Sequence, residues 1–201
     1  MYIPAINFSQ TNTYTPIQVQ NIGTASASVN VNFYDSNGVP VQTQTGVIPP
    51  NTASVFWPPA ASTAYGSAVI DSTQDVIAIV NEMVNNNNWA MSYDGFASGS
   101  MKVSIPWIAY GNSGWNTPIY VQNTGTVSAN VAVSFYDQNG APVETKNALI
   151  PANSSQIIVP AATAPTTGGS AVVTSSQPVV AEVSEINAAS TVAMGYNGGS
   201  G

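Results

Sequence analysis

Residues 29–33 (Val-Asn-Val-Asn-Phe) alternate between apolar and polar side chains, and residues 131–135 (Val-Ala-Val-Ser-Phe) repeat the alternation. A period of two puts every second side chain on one face, which predicts a strand with one buried side. Each run ends at an Asp-x-Asn-Gly segment, Asp35 to Gly38 and Asp137 to Gly140. Asn-Gly accommodates positive φ and predicts a tight hairpin, with the aspartate capping backbone amides in the turn. Shorter apolar runs bounded by Gly, Pro and Asn predict further strands at 3–8, 16–21, 54–57, 66–72, 76–84 and 89–93, each with a later counterpart. Helical periodicity is absent. About seven or eight short strands per unit is the pattern of an immunoglobulin-like β-sandwich. The chain lacks the cysteines and the tryptophan pattern of antibody domains, so this reading rests on strand count and spacing. One large barrel is the alternative, disfavoured by the repeat described next.

Thr15-Pro16-Ile17-Gln18-Val19-Gln20-Asn21 returns as Thr117-Pro118-Ile119-Tyr120-Val121-Gln122-Asn123, and Phe33-Tyr34-Asp35 returns as Phe135-Tyr136-Asp137. The offset is 102 as far as Pro58 and Pro160, then 103 from Ser67 and Ser170, so one residue is inserted around Pro165. Roughly four aligned positions in ten are identical, which points to an internal duplication. The expected organisation is a first sandwich at 1–96, a short linker at 97–100 and a second sandwich at 101–201. The Gly/Ser-rich tail at 198–201 predicts a disordered end unless a neighbouring molecule orders it.

The polar positions carry almost no charge. Only 5% of residues are charged, with two lysines, Lys102 and Lys146, nine carboxylates, and no arginine, histidine or cysteine. Two lysines cannot neutralise a phosphate backbone, so no nucleic-acid partner is expected. Histidine and cysteine chemistry and the usual zinc and iron sites are excluded, and no cofactor is implied. No apolar run approaches the ~20 residues of a spanning helix, and no signal-peptide pattern is present, so no membrane insertion is expected and the chain reads as already processed. Low charge with abundant Asn, Ser and Thr is typical of secreted and cell-surface prokaryotic proteins, which places this one outside the cell.

Candidate chemistry is sparse. Asp35-Ser36-Asn37-Gly38 has too few alternating acids for a calcium loop. Glu82 and Glu185 occupy aligned positions, in phase with inward-facing Val76, Ala78 and Val80. A carboxylate there needs a partner or an exit to water at the strand end. A lysine–asparagine isopeptide bond is disfavoured, since the first unit has no lysine. No nucleophile is visibly activated and no paired acids are set in a cleft, so the protein is not expected to be an enzyme.

The differences between the copies are more telling. Ile77, Ile79 and Asn81 stand where the second unit has Val180, Glu182 and Ser184. Phe56 and Trp57 become Ile158 and Val159, Trp89 becomes Val192, and Ala5 and Thr13 become Trp107 and Trp115. An outward Ile77/Ile79 pair calls for cover by another surface, and tryptophans past the joint suit a contact between domains or subunits. The expected interface residues are Ile3, Ile6, Phe8, Phe56, Trp57, Ile77, Ile79, Trp107 and Trp115. Asn7-Phe8-Ser9 and Asn153-Ser154-Ser155 match the N-glycosylation acceptor at Asn7 and Asn153.

The segments at 115–125 (Trp-Asn-Thr-Pro-Ile-Tyr-Val-Gln-Asn-Thr-Gly) and 131–140 (V-x-V-x-F-Y-D-x-N-G) resemble repeats in surface proteins of filamentous Chloroflexus-type bacteria. Composition and build are also similar to subunits of extracellular prokaryotic filaments, including archaeal threads and donor-strand pili. The resemblance implies polymerisation by a terminal strand that completes a neighbour's sheet. The expected function is therefore a structural, pilus-like subunit, joined head to tail with copies of itself into a helical polymer, residues 1–8 pairing near the 196–201 end of the preceding copy. Two alternatives stand beside it. One is a carbohydrate-binding or adhesive surface module with Trp57, Trp89, Trp107 or Trp115 as glycan platform, and the other is a spacer within a larger surface protein.

Overall fold

A computed structural model of the chain describes residues 1–8, 13–84, 89–111, 114–161, 168–187, 189 and 191–200. Over these residues the protein is all-β, made of several antiparallel sheets, with no α-helix among them. The inserted residue near Pro165, Ser9 of the first acceptor motif and the side chain of Trp89 lie outside the described residues.

The first half contains β1 (Tyr2–Asn7), β2 (Thr13–Tyr14), β3 (Ile17–Asn21), β4 (Ala27–Asp35), β5 (Pro40–Ile48), β6 (Ala53–Phe56), β7 (Tyr65–Ser72), β8 (Val76–Val84) and β9 (Trp89–Asp94). One sheet runs β1-β7-β4-β5; the other runs β2-β8-β3-β6, with β9 pairing β8. The second half contains β10 (Ser100–Ile108), β11 (Trp115–Asn116), β12 (Ile119–Asn123), β13 (Ala129–Asp137), β14 (Pro142–Ile150), β15 (Ser155–Ile158), β16 (Gly169–Asn187), β17 (Val192–Asn197) and β18 (Gly199–Ser200). Its pairings follow those of the first half: β13 binds β14 and β16 as β4 binds β5 and β7, and β12 binds β15 and β16 as β3 binds β6 and β8.

Each half buries its own apolar cluster in a sandwich-like arrangement. Ala27, Val29, Val31 and Phe33 point inward from β4, as Ala129, Val131, Val133 and Phe135 do from β13. The predicted turns form as the sequence requires. Asp35 Oδ1 accepts the N–H groups of Asn37 and Val39, both at 2.9 Å, and Asp137 Oδ1 those of Asn139 and Ala141, both at 2.8 Å. Gly38 and Gly140 follow at φ +80° and +81°.

The repeated Gln-Asn-x-Gly-Thr segment is explained by its buried asparagine. Asn21 Nδ2 donates to the carbonyls of Ala25 (2.7 Å) and Ile48 (2.8 Å), and its Oδ1 accepts Gly23 N–H (2.8 Å). Asn123 repeats these bonds with Val127, Ile150 and Gly125 at 2.8, 2.9 and 2.9 Å. Loop and strand are thus tied by one side chain that the core cannot replace with water.

The prolines at Pro4 and Pro106 have no N–H, and the β1–β7 and β10–β16 ladders each shift register around them. A tyrosine fills the gap in both halves. The Tyr93 hydroxyl donates to Ala5 O (2.8 Å) and accepts Ala5 N–H (3.1 Å), while the Tyr196 hydroxyl donates to Trp107 O.

Two features depart from the sequence expectation. β16 runs unbroken through residues aligned with the β7–β8 corner and joins the layers of the second half into one sheet path. The corner chemistry is nevertheless shared: Gln74 N–H meets Ser72 Oγ, and Gln177 N–H meets Ser175 Oγ, both at 3.3 Å. The two ends are also held within the chain. β1 pairs β7 and buries Ile3, Ile6 and Phe8 in the first core, while β18 pairs β10 at Val103 and Ser104.

Replacing Asn21 or Asn123 with alanine strands three backbone groups in or beside the core, at about 1–3 kcal/mol for each buried group left unpaired. We expect each variant to lose several kcal/mol in urea denaturation; a loss below about 1 kcal/mol would show that water reaches those groups.

Candidate functional site

The site with the most structure around it is the joint between the halves. Four polar side chains reach across it. Ser155 Oγ donates to Gly66 O (3.0 Å) and Gln122 Nε2 to Ala68 O (3.2 Å). Ser67 Oγ donates in the opposite direction, to Asn153 O, and Asn197 Nδ2 donates to Asp94 O (3.0 Å). Gln122 Nε2 also reaches Asn153 O (3.2 Å), whereas its buried Oε1 has no partner. These groups are neutral, so each bond replaces one with water at no cost in desolvated charge.

The strand positions follow from period two. Ile119 and Val121 of β12 point into the second core, which turns Tyr120 and Gln122 outward onto the first half. On β16, Val179, Ala181 and Val183 point inward, and Val180, Glu182 and Ser184 point to the joint, where all three are buried, Val180 at 2% and Glu182 at 0% exposure. From the first half, β1 lies against β12 and β16, and β9 lies beside β17. Gly38 packs so tightly that a Cβ there would fall 3.0 Å from Pro151 Cβ and 3.1 Å from Ala152 O.

Carboxylates lie in this joint without a cation. Burial pushes Glu82 up to about 7. Burial, and then the charge of Glu82, holds Glu182 well above the usual carboxylate range, opposed by the Ser184 hydroxyl at 3.1 Å from both carboxylate oxygens. The same surroundings raise the hydroxyls of Tyr93 and Tyr120, burial first in both. Glu185 is also pushed up to about 7 by burial, opposed by its bonds from Thr117 Oγ1 at 2.9 and 3.0 Å. Of the two expectations, a partner or an exit to water, Glu185 has the partner, the Thr117 hydroxyl. Neither lysine is near: Lys146 sits 3.9 Å from Glu144 and Lys102 is exposed on β10.

The corresponding surfaces at the far ends are open. The first-half residues aligned with Tyr120, Gln122, Ser155, Val180 and Glu182 are Gln18, Gln20, Ala53, Ile77 and Ile79, and together they line a cavity of about 580 Å³. Ile77 is 49% and Ile79 39% exposed. At the other end, Gly140, aligned with Gly38, has nothing within 4 Å of a built Cβ.

The expected interface residues fall in several different surroundings. Ile3, Ile6, Phe8 and Phe56 are buried in the first core, Ile77 and Ile79 form the open face, and Trp107 is 50% exposed on β10, away from the joint. Trp115 is half-buried in β11 against Asn187, and exposed Trp57 meets Tyr14 edge to face at 6.4 Å, beside a cleft of about 190 Å³. Asn153 lies at the joint, half-buried at φ 63°, and Asn7 is half-buried in β1. Tyr120, Gln122 and Ser155 are not among the expected interface residues. Tyr120 and Ser155 differ from Gln18 and Ala53 at aligned positions, which is a signal the sequence holds, whereas Gln122 aligns with an identical Gln20 and carries none. Among the described residues no group of three metal-ligating side chains occurs, and no helix is long and apolar enough to cross a membrane. Compared with known proteins, the chain matches no family model, no curated protein and no solved structure.

A carboxyl whose pKa is raised on folding adds stability that is full below its ordinary pKa and is lost as pH rises through the raised value. For Glu82, between an ordinary 4.5 and about 7, this is on the order of 3 kcal/mol. We expect the thermal midpoint to fall between pH 5 and pH 8. Burial lowers the Met1 amine, which titrates in the opposite sense, so the comparison with Glu182→Gln is the decisive one. That variant should raise the midpoint at pH 8 and flatten the profile, whereas a profile parallel to wild type would show the carboxyl already free in water.

Proposed function

We propose that the protein is a structural subunit of an extracellular filament, built from two immunoglobulin-like sandwiches that arose by duplication and joined head to tail with further copies of itself. One observation carries this reading: the joint between the halves uses two different faces, and each face has an aligned, uncovered counterpart at the opposite end of the molecule. A contact between unlike faces does not close on itself, so repeating it between copies generates an open polymer. The intramolecular joint then serves as the template for the contact between subunits. Since β1 already lies in its own sheet, assembly is assigned to these faces and not to exchange of the first eight residues.

The surface chemistry supports the same reading. Only 5% of residues are charged, so the net charge of −7 is spread thinly and the faces that would stack are polar but nearly uncharged. Low charge with abundant Asn, Ser and Thr favours a place outside the cell.

Purified protein examined by electron microscopy and sedimentation velocity across a concentration series is expected to show unbranched filaments. A compact monomer at every concentration would sink the proposal.

A further inference from the structure

We infer that Trp107 of one copy fills the cavity lined by Gln18, Gln20, Ala53, Ile77 and Ile79 of the next. This inference rests on the head-to-tail reading above and names the residues that make the contact. The intramolecular joint shows which surfaces belong together: β1, carrying Ala5, lies against β12 and β16, from which Tyr120 and Glu182 project. The aligned surfaces that remain open differ in size at the matching places. Ala5 is replaced by Trp107, and Tyr120 is replaced by Gln18.

The exchange is reciprocal. In the joint a small residue on one face is combined with a large aromatic on the other. At the open ends the large aromatic has moved to the opposite face, and the small partner leaves a cavity of about 580 Å³. Volume lost from one side reappears on the other, as close packing across a shared interface requires. Polarity changes in step, because Ile79 stands in the place of Glu182, and the cavity offers apolar wall where the joint has a carboxyl.

Trp107 is prepared for such a role. Its ring lies against the backbone of Gly168, where a built Cβ would come within 2.4 Å of the ring, and its carbonyl is held by the Tyr196 hydroxyl. The ring is therefore half-exposed yet fixed, and docking it loses little conformational entropy. Tryptophans that become buried on association are among the residues that contribute most to interfaces.

The occupant is thus a second copy of this chain, and the test uses full-length variants with one face spoiled each. Ile79→Asp and Trp107→Asp should each sediment as monomers at concentrations at least tenfold above those at which wild type polymerises, with circular dichroism melts close to wild type. Mixed together, they should form a one-to-one heterodimer and nothing larger, because only one good cavity and one good tryptophan remain. Ile77→Asn with Ile79→Gln serves as a milder second cavity variant should the aspartate disturb folding. Val47→Asp, on exposed β5, should leave polymerisation unchanged. Polymerisation of both face variants like wild type would overturn the pairing while leaving the filament reading intact. Two monomeric variants that never form the heterodimer would overturn it as well. A wild-type chain that stays monomeric would overturn both.

Discussion

The carbonyl groups of Gly66 and Ala68 are the acceptors around which the two halves are set. They lie on β7 opposite the stretch of β1 where Pro4 interrupts the ladder, and the second half supplies donors through Ser155 and Gln122. A backbone carbonyl sealed from water without a donor costs roughly 1–3 kcal/mol, so these hydrogen bonds help fix the register of one half on the other. The return bond from Ser67 to Asn153 locks the same register from the other side. A joint of hydroxyls and amides is what a chain nearly devoid of basic residues can build.

That shortage of cations has a second consequence. Glu82 and Glu182 are buried within electrostatic reach of each other, and Glu182 has the Ser184 hydroxyl as a partner. Burial favours the protonated form of each, and a proton on either one removes the repulsion between them. The charge state of the joint is therefore tied to pH by geometry. At the open counterpart Ile79 and Asn81 replace Glu182 and Ser184, so no corresponding carboxyl stands on that face. The two ends of one scaffold have been given different electrostatics while their backbone pairings run in parallel.

The conserved and the divergent parts of the two halves do different work. Asn21 and Asn123, Asp35 and Asp137, and Tyr93 and Tyr196 repeat because each supplies the hydrogen bond that a backbone group of its turn, loop or bulged strand would otherwise lack. Gln18 and Tyr120 differ because they project from the sandwiches, where internal packing imposes nothing and the neighbour decides; Ala5 is buried where its aligned Trp107 is half-exposed.

The sequence by itself determined the strands, the Asp-x-Asn-Gly hairpins and the inward faces, since period two and turn chemistry act over a few residues. It showed that Glu82 shares a phase with Ala78 and Val80, and that Ile77 and Ile79 form an outward pair. Only the tertiary structure decided what covers each face. Ile3, Ile6 and Phe8 read as material for an interface yet fill the first core, because β7 of the same half takes up the edge that β1 needs. Trp107 reads as a joint residue yet faces away, while Tyr120, Gln122 and Ser155 take the joint. An outward strand position carries the same local signature whether it meets water, a second half or another copy. That distinction depends on how separate sandwiches stack, and the stacking is set by carbonyls that no side-chain pattern records.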